Sequence, residues 1–267
     1  MSAKESAKST REKAAAARAE AEAEQKRRDR TVRIIGGLVV LAVIGAIFGA
    51  VIWNNKKTAS ANDIVNEAAV PKGVNTSTGE YPWGYPVNKA DAKPTLAIWE
   101  DFQCPTCAAV EKANGTTIEK LATDGKINLI WRPTAFIDEK TSSSSGPNPK
   151  SSLRATAAWG CAIDAGKGPE YHNTVFANQP ANEGDGWSQQ QLIDFGKTAG
   201  ITGAAFDTFT SCVEGDNYHQ WANNSYQTFI KDAVPGTPTA YLNGKEVTLD
   251  VLGDSAKLIK AVQDATK

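Results

Sequence analysis

The sequence predicts an α/β domain carrying a helical insertion, set behind one transmembrane helix. Three observations lead there. Ile34 to Trp53 is a run of twenty residues without a charge. Stretches of strand character at 95–102, 126–132, 239–242 and 245–249 are interleaved with helical ones. A long stretch of helical pattern, about 151–231, divides the first two strands from the last two.

Residues 1–33 hold ten Lys/Arg against six Asp/Glu and no Trp, Tyr, Phe, Leu or Cys, so they cannot build a core and read as a charged cytoplasmic tail. The run 34–53 is long enough to span a bilayer core of about 30 Å as a signal-anchor helix. Lys26, Arg27, Arg28, Arg30 and Arg33 precede it and only Lys56 and Lys57 soon follow. The positive-inside rule then keeps the N-terminus in the cytoplasm and exports residues 54–267. Cleavage after Ala59-Ser60-Ala61 is the competing reading. Residues 54–93 read as a linker running into loops, and 94–267 as the exported domain. Residues 54–267 carry 19 basic and 24 acidic residues, a net of −5, with no basic stripe, which argues against nucleic acid as a partner.

Within that part, Tyr81, Trp83 and Tyr85 alternate as in a short edge strand, while Pro82 and Pro86 exclude a central one. Residues 95–102 read as a buried strand. A helix is predicted from Pro105 to about Asn114, with Thr116-x-x-Glu119 restarting it as a capping box after Gly115. Lys126 to Arg132 reads as the next strand. Four consecutive serines and Gly146-Pro147-Asn148-Pro149 make 141–150 a loop. Helices come next around Ala155–Ala162, Tyr171–Phe176, Gln190–Ala199 (Ser188 as N-cap, Gly200 as stop), 203–213 and 217–232. Asn243-Gly244 then signals a two-residue hairpin between Thr239–Leu242 and Lys245–Leu249, and Asp254 to Ala265 closes the chain as a helix.

The chemistry-bearing motif is Cys104-Pro105-Thr106-Cys107. A strand precedes it and a helix succeeds it, so Cys104 falls where free N–H groups and the helix dipole favour an anion. The thiolate is such an anion and is the reactive form of cysteine. Pro105 suits the first helical position, and the spacing lets Cys107 reach Cys104. All four cysteines lie in the exported part, which suits disulfide chemistry.

Glu100-Asp101-Phe102-Gln103-Cys104-Pro105-Thr106-Cys107, the stretch Tyr171–Gln179 in the helical insertion, and Gly236-Thr237-Pro238-Thr239 ahead of Asn243-Gly244 together resemble the DsbA-like branch of the thioredoxin superfamily. The layout looks like that of membrane-anchored actinobacterial members. The resemblance covers about 95–265 and implies a thioredoxin-like fold with a helical insertion. It implies Cys104 as attacking and Cys107 as resolving cysteine, with Pro105 and Thr106 beside them. Thr237 and a cis-configured Pro238 would face the pair and meet substrate. The position six residues before the first cysteine, acidic in many relatives, is Ile98; Glu100 and Asp101 are nearby acids on opposite faces of a strand. Thr106 stands where the strongest oxidants carry histidine, which implies a less extreme oxidant.

Cys161 and Cys212 read as a structural disulfide, with two buried free thiols as the alternative. No metal ligand is assigned, because a closed zinc site on Cys104 and Cys107 needs two more ligands and His172 and His219 are the only histidines. His172 reads as packed or hydrogen-bonded, and Trp99, Trp131 and Trp159 as core. The expected function is a membrane-anchored extracytoplasmic thiol:disulfide oxidoreductase that introduces disulfides into exported cysteine-containing proteins. It needs no cofactor beyond its own redox-active disulfide, and the resemblance suggests a quinone-linked membrane oxidase for reoxidation. A reductase or isomerase on the same fold, and a metal-binding module using both cysteines, are the alternatives.

Overall fold

A computed structural model describes residues 68–88, 94–140 and 148–266. The charged tail, the apolar run at 34–53, most of the linker and most of the serine-rich loop lie outside the described residues, together with the expectations attached to them. Among the described residues no helix is long and apolar enough to cross a membrane.

Five strands form one sheet in the order β1–β3–β2–β4–β5. They are β1 Tyr85–Pro86, β2 Thr95–Glu100, β3 Asn128–Pro133, β4 Thr239–Leu242 and β5 Lys245–Val247. Strands β2 and β3 run parallel, with Ala97 opposite Ile130; the other neighbours are antiparallel. A central strand covered on both faces needs a nearly continuous apolar run, and β2 has one. Leu96 and Ile98 enter a core with Leu129 and Trp131, while Trp99 packs edge-on to Phe229 on the other side. Prolines confine β1 to two residues at the sheet edge.

Strand β2 leads into helix α1 (Pro105–Val110), which continues through a π turn (Glu111–Gly115) into α2 (Thr116–Thr123). The expected capping box at Thr116 does not form. Gly115 and Thr116 keep right-handed helical angles, so the helix never stops there. The irregularity at Gly115 is instead a widened turn. A Cβ at 115 would collide with the Glu111 carboxylate, so glycine lets that side chain fold beneath the turn.

After β3 a short helix, α3 (Phe136–Lys140), appears that the sequence pattern did not announce. The insertion is then α4 Ser151–Asp164, α5 Gly168–Ala177, α6 Gln189–Thr198, α7 Ala204–Glu214 and α8 His219–Lys231. Ser188 and Gln191 cap α6 reciprocally. Cys161 on α4 and Cys212 on α7 are disulfide-bonded, with Cα atoms 5.8 Å apart. Trp159 binds insertion to sheet: its ring lies 5.4 Å from Tyr85, 6.1 Å from Trp131 and 5.9 Å from Trp221.

The chain returns as the β4–β5 hairpin, where Asn243 and Gly244 both take positive φ, 49° and 74°, as a type I′ turn requires. Strand β5 stops at Val247, short of the expected Leu249. Thr248 takes an extended N-cap conformation and opens α9 (Leu249–Leu252), so a β-branched run is overruled by a helix start. Asp254 caps the last helix, α10 (Ser255–Ala265), by accepting from the Lys257 N–H at 3.0 Å.

Candidate active site

Cys104 occupies the N-cap of α1 in an extended conformation, with Pro105 directly after it. That geometry turns the backbone N–H groups of Thr106 and Cys107 toward the Cys104 sulfur. Cys104 and Cys107 are free thiols in this structure, 5% and 0% exposed, whereas Pro105 and Thr106 are exposed beside them. Facing them is the start of β4. The Cys104 thiol donates to the Thr237 carbonyl at 3.3 Å, and the Thr237–Pro238 peptide is cis. Chain positions far apart in sequence thus make two walls of one small site.

The two sulfurs differ sharply in acidity. A hydrogen bond from the Cys107 thiol lowers Cys104 to about 6; burial opposes this, and the Thr237 side chain and the N–H groups of Cys107 and Thr106 add to it. Burial, together with that same bond, pushes Cys107 well above the usual thiol range. One sulfur is therefore a thiolate at neutral pH while its neighbour stays protonated. Alkylation of the reduced protein by iodoacetamide should rise with a midpoint near pH 6, and a midpoint above about 8, the ordinary thiol range, would contradict it. Because folding depresses this pKa, the stabilisation is complete above the unfolded value and is lost as pH falls through about 6. The reduced form should accordingly lose melting temperature relative to the oxidised form on acidification through that window.

Polar side chains from the insertion hold the loop before Cys104. Gln179, just after α5, donates to the carbonyls of Phe102 at 2.6 Å and Cys104 at 3.0 Å. Gln103 donates to Ser152 at 2.7 Å and Asp138 at 2.9 Å. Asp101 accepts from the N–H groups of Gln103 and Ile137, each at 2.8 Å, and from the Ser152 hydroxyl at 2.6 Å. Burial pushes its carboxyl up to about 8 against those donors. Asp138 accepts from the N–H groups of Ser152 and Leu153 and so caps the first turn of α4.

Glu100 turns the other way from Asp101. Its Oε2 lies 3.1 Å from His172 Nε2, and burial raises it to about 8. His172 is fully enclosed, stacked on Trp131 at 3.9 Å. His219 sits elsewhere, against Asp216. Cys161 and Cys212 lie in the insertion, bonded to each other and not to the Cys104–Cys107 pair. Sequence reasoning gave Gln179, Ser152, Asp138 and Glu111 no role. Gln179 lay inside the quoted Tyr171–Gln179 stretch, and Glu111 is one helical turn beyond Cys107, which was the available signal.

A family model described as thioredoxin matches residues 87–263. The chain belongs to the thioredoxin family. No curated protein matches its sequence. Among solved structures, MdbA of Actinomyces oris, a thiol-disulfide oxidoreductase, superposes with a TM-score of 0.59 at 21% identity, over 74% of this chain and 91% of that one. Oxidised BdbD of Bacillus subtilis gives 0.56 at 20% identity, over 75% and 99%. Oxidised DsbA of Mycobacterium tuberculosis gives 0.53 at 24% identity, over 74% and 91%. These likenesses establish a shared fold, the thioredoxin-like α/β fold of DsbA-like proteins.

Proposed function

We propose that the chain is a membrane-anchored, extracytoplasmic thiol:disulfide oxidoreductase that introduces disulfide bonds into exported proteins. The observation that carries this reading is the asymmetry of the pair: an acidic Cys104 thiol beside the exposed Pro105 and Thr106, and a fully enclosed Cys107 that holds its proton. The fold shared with MdbA, BdbD and DsbA supports it. The anchor and topology rest on the apolar run 34–53 and the basic residues before it.

The cycle starts from the Cys104–Cys107 disulfide. A substrate thiolate attacks Cys104 Sγ, the disulfide opens, and Cys107 leaves and takes up a proton. A mixed disulfide joins substrate to Cys104. A second substrate thiolate attacks the substrate sulfur of that bond, and Cys104 leaves as thiolate. The substrate loses two electrons and gains a disulfide; the pair gains two electrons. A low-pKa leaving thiol favours this direction. Thr237 and Pro238, opposite Cys104, are the wall on which the substrate chain lies. The redox-active disulfide serves as its own cofactor, and a quinone-linked membrane oxidase restores it.

Oxidised protein mixed with a reduced, unfolded substrate that contains one cysteine pair should transfer one disulfide per chain, monitored by thiol titration. Transfer no faster than in buffer would sink the proposal.

A further inference from the structure

We propose that Glu100, Glu111 and His172 bind one divalent transition-metal ion of the zinc class where the sheet meets the insertion. The three come from the end of β2, the π turn and α5, and their ligand atoms lie within 4.8 Å of one another. No cysteine belongs to the set. Glu100 is 5% and His172 1% exposed.

The hydrogen bonds fix which ring nitrogen offers a lone pair. Asn173 donates through Nδ2 to Glu119 at 2.7 Å, so its Oδ1 is the atom 3.2 Å from His172 Nδ1. That oxygen only accepts, so Nδ1 carries the ring proton. In the neutral ring Nε2 then presents a lone pair to Glu100 Oε2, 3.1 Å away. With both carboxyls ionised, two acceptors face each other there and Glu111 adds a third; with a proton on one of them, Glu100 and Glu111 hydrogen-bond to each other. Glu100 Oε1 and Glu111 Oε1 are both buried without a hydrogen-bond partner. Among the described residues no Lys or Arg forms an ion pair with either carboxylate. Glu119 adds negative charge near both Glu111 and His172. Once ionised, buried acceptors that converge with no cation among them favour one, so a metal ion competes with protons for this centre, and the ligand atoms already lie within 4.8 Å of one another.

The surroundings suit a metal ion. An imidazole whose second nitrogen donates to a neighbour and whose ring is locked by stacking is oriented as metal-ligating histidines are. Trp131 supplies the stacking, at 3.9 Å and 17° between planes. A cavity of about 10 Å³ beside Glu100 and His172, lined also by Trp131 and Phe176, has room for one water as a fourth ligand. Two carboxylates and one imidazole suit zinc, manganese or iron(II), whereas calcium takes six to eight oxygens.

The test uses full-length protein, stripped with chelator, with Cys104 and Cys107 oxidised so that thiolates cannot bind. It is titrated with zinc and, in parallel, with cobalt(II). One equivalent should be retained per chain, with visible d–d bands in the cobalt form. Glu111→Gln should weaken binding at least tenfold. Asn173→Ala should weaken it about 10–100-fold with every ligand in place, and it decides the matter if Glu111→Gln fails to fold. No retained metal, with an infrared band of protonated carboxyl that Glu111→Gln removes, would show that protons fill the centre and overturn the proposal. Binding that neither substitution weakens would overturn it too.

Discussion

Cys104→Ser reduces disulfide donation to the background rate, whereas Cys107→Ser accumulates protein–substrate mixed disulfides. Serine at 104 removes the only sulfur in the pair that ionises near neutral pH. Serine at 107 leaves that sulfur in place but removes the thiol that would otherwise attack the mixed disulfide from one side and release the substrate. The Cys107→Ser protein also loses the hydrogen bond that contributes most to lowering Cys104, so its Cys104 thiol should titrate at higher pH than about 6. Non-reducing gels of cells that carry each variant read the first difference, and alkylation against pH reads the second. Equal trapping by both variants would contradict the assignment of roles.

The second large effect lies away from the redox pair. Cys161 and Cys212 close a loop across a sequence separation of 51 residues, from α4 to α7. In the chain-entropy account, removing such a crosslink costs roughly 3–4.5 kcal/mol. The Cys161→Ala/Cys212→Ala double variant should therefore melt on the order of 10 °C lower. Its Cys104 should still titrate near 6, because the groups that lower it lie on α1 and at Thr237. Helix α4 also carries Ser152, which bonds Asp101 and Gln103. A loss below about 1 kcal/mol would mean that packing of the insertion helices, and not the crosslink, sets their stability.

What could be read from the sequence was local. A proline after a cysteine, behind an apolar strand, marks a helix start from two neighbouring residues, and Asn243-Gly244 marks a turn by its tolerance of positive φ. Ser188 stood where a cap belongs. Local rules failed where two of them competed. Thr116-x-x-Glu119 has the letters of a capping box, but the π turn before it keeps the helix unbroken. Val247-Thr248-Leu249 is β-branched and apolar, yet Thr248 starts a helix. The polar partners of the site were out of reach for a different reason. Gln179 meets Cys104 across 75 residues and His172 meets Glu100 across 72, and neither pairing leaves a periodic trace in the chain. His172 read correctly as a packed, hydrogen-bonded ring, but its partner could not be named before the insertion was folded onto the sheet.

The direction of electron flow is the claim on which the functional reading stands. A Cys104 thiol at about 6 falls between thioredoxin, near 7, and the strongest oxidants of the fold, near 3.5. Reduction potential tracks thiolate stability, so it should fall between theirs as well. The decisive measurement is the potential of the Cys104–Cys107 couple in the detergent-solubilised full chain, equilibrated against glutathione. The account predicts a value between about −120 and −230 mV, as befits a disulfide donor; about −270 mV or lower would make the protein a reductase and contradict it.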